Sequence, residues 1–211
     1  MRILLTAFEP LDGGINASKE LIRSLENDPP SQCPCFGELV ACKLMPGDTR
    51  RLKGELIAAI DRFDADCCVC VGQAPGRNKI TLERLATNLK DFGSPDAAGN
   101  LAVGELIEED GPAAYWSTLP DMPGMIDALN AAGIPAAPSN HAGNHLCNQI
   151  LYHALHHAAT ERPALKAGFV HIPLLPAQVQ GISQDTPFMS LQMLRDAMAI
   201  ILNRLATQHE P

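Results

Sequence analysis

The sequence predicts a three-layer α/β/α single domain with a mostly parallel, twisted central sheet. Three observations carry this expectation. Strand-like and helix-like patterns alternate strand, helix, strand, helix, strand over the first seventy residues, as right-handed crossovers in a parallel sheet require. The tail PFMSLQMLRDAMAIILNRLATQ repeats apolar residues at Leu191, Leu194, Met198, Ile201 and Leu205, the stripe of a helix that lies on a sheet. The chain has 211 residues and shows no internal repeat or linker, which fits one unit over 1–211 that buries roughly 70% of its unfolded surface.

Element by element, residues 2–7 (RILLTA) read as a first strand, followed by the turn-rich EPLDGGIN. A helix runs from Ala17 to Leu25 with Leu21, Ile22 and Leu25 on one face, and Asp28-Pro29-Pro30 closes it. The stretch ELVACKLM is a second strand. A helix then begins near Asp48 and runs to about Phe63, with Leu52, Leu56, Ile57 and Ile60 as its apolar face. The strand CCVCV and the loop GQAPGR come next. Residues 91–124, rich in Gly, Pro and Asp, read as long loops with a short helix or strand pair. Residues 125–132 form a helix, 133–138 a short strand and 144–159 a long helix, before the strand AGFVHIP.

Composition excludes several functions. The formal charge of −8 and the absence of any Lys/Arg run argue against nucleic acid, which asks for a basic stripe. The opening MRILLTAFEP has an apolar run of about six residues before Glu9, too short for a signal peptide or a membrane span, so the reading is cytoplasmic with no membrane partner.

Seven cysteines fit a reducing compartment. Cys67, Cys68 and Cys70 lie in the apolar run DCCVCV as small core residues. Cys67 and Cys70 form a CxxC, but residues three apart on a strand point to opposite faces, which argues against a redox or zinc role. Cys33, Cys35 and Cys42 flank a Pro-rich, turn-like region and are expected to stay reduced.

The chemistry concentrates in SNHAGNHLCNQILYHALHH, residues 139–157. His153 and His157 have the spacing of an HExxH metal site, but Ala154 stands where its general base belongs. His145 and Cys147 are two apart, about 200° round a helix, and cannot hold one ion. No metal is expected, and His153, His156 and His157 read as a solvated helix face. Ala142-Gly143-Asn144 is a small-residue turn with Asn144 as a competent N-cap, which places Cys147 in the first helical turn. Free N–H groups and the positive dipole end there favour a thiolate and can receive an oxyanion. Ile150, Leu151, Ala154 and Ala158 supply the stripe that anchors the helix. The local pattern suits a nucleophile and a core cysteine equally.

SNHAGNHLCN also resembles the cysteine-bearing signature of the pyroglutamyl peptidase I (pyrrolidone-carboxyl peptidase) family. Three further segments resemble it in order: LLTAFEPLDGGIN, ITLERLATNLKD…SPDAAGN and GFVHIPLLPAQV, so the likeness spans nearly the whole chain. The resemblance implies a triad in which Cys147 is the nucleophile, His171 the general base and later acid, and Glu83 the group that holds the imidazole. Unaided, His171 would read as a hydrogen-bonded core histidine and Glu83 as an exposed carboxylate. The implied reaction removes an N-terminal pyroglutamyl residue from a peptide through a thioester, without metal or organic cofactor, in a homo-oligomer (tetramer or dimer). Phe8 would stack on the lactam ring, the stretch around Gln73 would meet its polar groups, and Leu146 would line the pocket.

The chain departs from the family pattern at three places. Leu11-Asp12 stand where Phe-Gly is common, which turns one pocket wall aliphatic. Gly93 stands where an arginine is usual, and Pro75 where a glycine is usual. These departures keep open a homologue that binds pyroglutamyl peptides with weakened catalysis. Two other readings stand beside it: a phosphorylase-like α/β enzyme with GQAPGR and Arg77 on a phosphate, and a histidine-rich metal binder.

Overall fold

The computed structural model describes residues 1–211 except 12, 32–35, 37–38, 183–184 and 208–211. Asp12, Cys33 and Cys35 therefore lie outside the described residues. The elements in chain order are β1 (Ile3–Phe8), α1 (Ala17–Asn27), β2 (Val40–Met45), α2 (Thr49–Phe63), β3 (Cys67–Gln73), β4 (Ile80–Glu83), β5 (Leu85–Thr87), β6 (Ala114–Trp116), α3 (Met122–Ala131), β7 (Ala136–Ser139), α4 (Leu146–Thr160), β8 (Lys166–Ile172) and α5 (Leu191–Thr207).

A six-stranded sheet in the order β2-β1-β3-β8-β4-β7 forms the middle layer. β2, β1, β3 and β8 run parallel to one another, while β4 is antiparallel to β8 and parallel to β7. The sheet is thus mostly parallel, as expected, with one reversal. α1, α3 and α5 bury Leu21, Leu129 and Ile201 on one face; α2 and α4 bury Leu56 and Ile150 on the other. Strands covered on both faces need continuous apolar runs, and CCVCV supplies one. Cys67 enters the first core and Cys68 and Cys70 the second, so the CxxC pair is split by the sheet.

Local chemistry sets the helix ends. Asn16 caps α1 by accepting from the Ser18 and Lys19 N–H groups, and Asp48 caps α2 through Arg50 N. The predicted loop region is held by polar side chains: Asn88 bonds the backbone of Ile107, Glu108 and Gly111, and Asp96 bonds Thr49, Ala98 and Asn100. Of the antiparallel pair β5–β6, only β6 falls within that region, and β5 precedes it. α3 begins three residues earlier than 125, because Asp121 caps it and Pro123 suits its first turn.

One expectation fails here. His153 and His157 are not solvated but 4% and 8% exposed. α2 and the 88–112 loop cover that side of α4: His153 Nδ1 lies 3.0 Å from Glu108 Oε1, His157 Nε2 3.6 Å from Asp61, and Tyr115 OH 3.0 Å from His156 Nδ1. Periodicity reports one apolar stripe and is blind to a second, polar face closed by a distant loop. Among the described residues, no helix is long and apolar enough to cross a membrane.

Candidate active site

Parallel sheets place ligands beyond the carboxyl ends of their strands, where the strand order reverses. Here β1 connects outward to β2 while β3 joins its other side, so the ends of β1 and β3 flank such a point. Phe8 ends β1 and Gln73 ends β3.

His171 comes from β8 and Glu83 from the end of β4, which the antiparallel pairing brings alongside. His171 Nδ1 donates to Glu83 Oε1 at 2.8 Å, with the imidazole 4% and the carboxylate 0% exposed. Glu83 is therefore not the exposed carboxylate that its polar type suggested; the reversal of β4 turns it into the sheet. Burial holds the His171 imidazole below its ordinary value, against the pull of Glu83, so the ring is neutral at neutral pH. Burial would raise the Glu83 carboxyl, but the hydrogen bond and charge of His171 and the bond from Arg77 outweigh it and keep the group ionised. Ser139 stands opposite Glu83 in the β4–β7 register, though no hydrogen bond of good geometry reaches Oε2.

Cys147 is the second residue of α4, half-buried in its first turn. The helix starts one residue later than expected: His145, not Asn144, is the N-cap, and its side chain makes no capping bond. The ring is drawn elsewhere, packed at a tilt against Phe92 with centroids 4.0 Å apart and Nε2 donating to the Ser94 carbonyl at 3.1 Å. Gly143, at φ +81, makes the left-handed turn into the helix. The thiolate expectation also needs correction, since burial, and then the charge of Glu83, push the Cys147 thiol up to about 12. At that value the resting sulfur is a thiol.

Gly72 connects the two halves. It faces His171 across the β3–β8 pair, and Cys147 Sγ occupies the space where its side chain would stand. The sequence reading passed over Gly72, although a glycine in an otherwise bulky buried strand signals close approach.

A mostly apolar cavity of about 530 Å³ opens beside Cys147, and Phe8, Leu11, Gln73 and Leu146 all line it. Every pocket residue drawn from the sequence therefore converges on one space. Phe8 and Leu146 are buried walls and Leu11 is at the mouth, 44% exposed. Gln73 Oε1 accepts from Ala17 N and from Gln178 Nε2, both at 2.8 Å. Asn16, His145 and Gln178 line it as well; the sequence reading weighed His145 only as a metal ligand and did not single out the other two. Pro75 lines the cavity too. Gly93 is exposed, between Phe92 and Ser94, the two residues that hold the His145 ring. Arg77 is not a free phosphate partner: its guanidinium bonds Glu83 Oε1 at 2.5 Å, Thr81 Oγ1 and the His141 carbonyl.

A sulfur for attack, an imidazole for proton transfer and a carboxylate that fixes the imidazole are the working groups of a cysteine hydrolase. The pyroglutamyl peptidase family profile matches residues 1–208. The chain is 39% identical to pyrrolidone-carboxylate peptidase 1 of Photorhabdus laumondii, over 96% of this chain and 91% of that protein. It is also 39% identical to the pyrrolidone-carboxylate peptidase of Alkaliphilus oremlandii, over 96% and 92%. The crystal structure of pyroglutamyl peptidase I from Bacillus amyloliquefaciens superposes with a TM-score of 0.88 at 34% identity, covering 98% of this chain and 97% of that one. A mutant pyrrolidone carboxyl peptidase from Pyrococcus furiosus gives 0.88 at 32% identity, with both chains covered in full. This chain belongs to the pyroglutamyl peptidase family.

Proposed function

We propose that the protein is a cysteine peptidase that hydrolyses the peptide bond after an N-terminal pyroglutamyl residue, with Cys147 as nucleophile, His171 as general base and acid, and Glu83 as the group that orients the imidazole. The observation that carries this reading is the cavity that has Cys147 in its wall, its sulfur against Gly72, which stands opposite His171 of the His171–Glu83 pair in the β3–β8 register. With Nδ1 engaged by Glu83, His171 Nε2 is the nitrogen left for proton transfer.

The thiol proton passes to His171 as sulfur bonds the pyroglutamyl carbonyl carbon. The oxyanion falls to N–H groups at the start of α4. His171 then protonates the amine as the C–N bond breaks, leaving a thioester. Water, deprotonated by the same imidazole, attacks the thioester, and pyroglutamate leaves as the thiol re-forms. A neutral imidazole beside a protonated sulfur makes deprotonation part of the attack rather than a resting ion pair. Phe8 and Leu146 pack the lactam ring, Leu11 closes the mouth, and the backbone near Gln73 meets the ring N–H or C=O.

The test is a chromogenic pyroglutamyl amide. Hydrolysis is expected, with loss on iodoacetamide treatment and in Cys147→Ala, and no change with chelators. A His171→Ala variant at the wild-type rate would remove the base from this scheme.

The same reading places the protein in the cytoplasm as a homo-oligomer, a dimer or tetramer. The five free cysteines among the described residues support a reducing compartment. Sedimentation velocity decides the oligomer, and a monomer at micromolar concentration would overturn it.

A further inference from the structure

Arg77 is the cation closest to this chemistry in the hydrogen-bond network, and the scheme above gives it no part. It lies in the loop between β3 and β4, three-quarters buried, and its fork ends on three acceptors from two segments. One Nη1 reaches Glu83 Oε1 at 2.5 Å and Thr81 Oγ1; Nη2 reaches the His141 carbonyl at 2.8 Å. The Glu83 oxygen that Arg77 holds is the one that accepts from His171 Nδ1. Thr81 Oγ1 lies 3.2 Å from that oxygen as well, while Oε2 is buried without a hydrogen bond of good geometry. A carboxylate held through one oxygen keeps its orientation only as long as the donors on that oxygen stay fixed.

We propose that Arg77 is a positioning residue of this site, locking Glu83 Oε1 against His171 Nδ1 and tying the β4 end to the turn before Cys147. The inference rests on the proposed roles of Cys147, His171 and Glu83. Guanidinium suits the task because its planar fork serves several acceptors at once, which an ammonium point charge does not.

The charges around the two groups are few. His171 is faced by Glu83 from β4, Arg77 from the β3–β4 loop and His141 from the loop after β7. Cys147 is faced by Glu83, by Cys70 from β3 and by Arg77. Glu83 raises both groups, and Arg77 lowers both. Removing Arg77 should therefore move the imidazole and the thiol upward together.

The experiment compares wild type, Arg77→Gln and Arg77→Lys in two readouts: kcat/KM against pH on a pyroglutamyl amide, and the rate of Cys147 alkylation by iodoacetamide, mapped by mass spectrometry. In Arg77→Gln the acid limb is expected to rise by on the order of one pH unit, with alkylation at pH 8 several-fold slower. In Arg77→Lys the limb should stay at its wild-type pH, since the charge remains, while kcat falls because the three-acceptor fork is lost. An Arg77→Gln profile that loses rate uniformly with its limb unmoved would overturn the electrostatic part, and Arg77→Lys at wild-type kcat would overturn the positioning part. If Arg77→Gln fails to fold, Arg77→Lys still decides the positioning part, and Arg77→Met takes the place of the glutamine in the charge test. A wild type that cleaves no pyroglutamyl amide would sink the proposed function, yet the alkylation profiles would still decide what Arg77 does to Cys147.

Discussion

A β-carbon placed on Gly72 would lie 2.9 Å from the sulfur of Cys147, and 2.7 Å from Cζ of Phe169. Gly72 also stands opposite His171 in the β3–β8 register. The missing side chain lets the start of α4 settle against the strand that pairs with the one carrying His171. The site is assembled around an atom that is not there.

Gly72→Ala should therefore displace the sulfur and the Phe169 ring. A shift of even 1 Å in reacting groups can cost about a hundredfold, so kcat is expected to fall at least about tenfold. Overpacking should cost about 1–3 kcal/mol in urea unfolding, with the circular dichroism spectrum unchanged. Wild-type kinetics in this variant would show that the sulfur has room to move.

Glu83→Gln keeps the shape of the side chain and removes its charge. The amide no longer favours the Nδ1–H tautomer or a protonated ring, so kcat should drop by roughly 10²- to 10⁴-fold with KM little changed. Steady-state kinetics on a pyroglutamyl amide give both numbers. A main effect on KM would point instead to a binding role.

Leu11 at the pocket mouth offers a gain-of-affinity test. It already packs toward Gly47, whose β-carbon would meet Leu11 Cδ2 at 2.7 Å, so the wall has a backing. Leu11→Phe should add ring contact worth about 0.5–1.5 kcal/mol, lowering KM roughly two- to tenfold at constant kcat. A KM that rises instead would mean the larger ring blocks entry.

Stability should fall in acid for a reason outside the site. Burial pushes the His153 imidazole down to about 4. Unfolded, the ring titrates near 6.5, so from about pH 6.5 down to about pH 4 the unfolded chain takes up a proton that the folded one refuses. Folding free energy should decline through that window by up to about 3 kcal/mol, and this contribution levels off below it. Urea midpoints at pH 7.5 and 4.5 measure the decline, which His153→Gln should make shallower. Equal declines in both proteins would place the acid sensitivity elsewhere.

Much of the site was legible because its residues sit in local patterns. Cys147 stands out through the small-residue turn before it and the apolar stripe after it. Asp48 announces α2, and the run Leu21, Ile22, Leu25 announces α1. Other features left no local trace. The burial of Glu83 depends on β4 running against β8, a choice made by strands eighty-eight residues apart. The burial of His153 depends on Glu108, which arrives from a loop without periodicity. The raised thiol of Cys147 left no local trace either, because the helix end is visible in sequence whereas burial and the charge of Glu83 are not.

The sequence by itself determined the alternation of strands and helices, the apolar faces that stack them into layers, and the family to which its ordered segments belong, since these are properties of neighbours along the chain. Only the tertiary structure decided that Glu83 meets His171, that Gly72 makes space for Cys147, and that Arg77 turns inward rather than toward a ligand. Those outcomes depend on distances between segments far apart in sequence, where burial and charge act through space and a short window of residues carries no record of them.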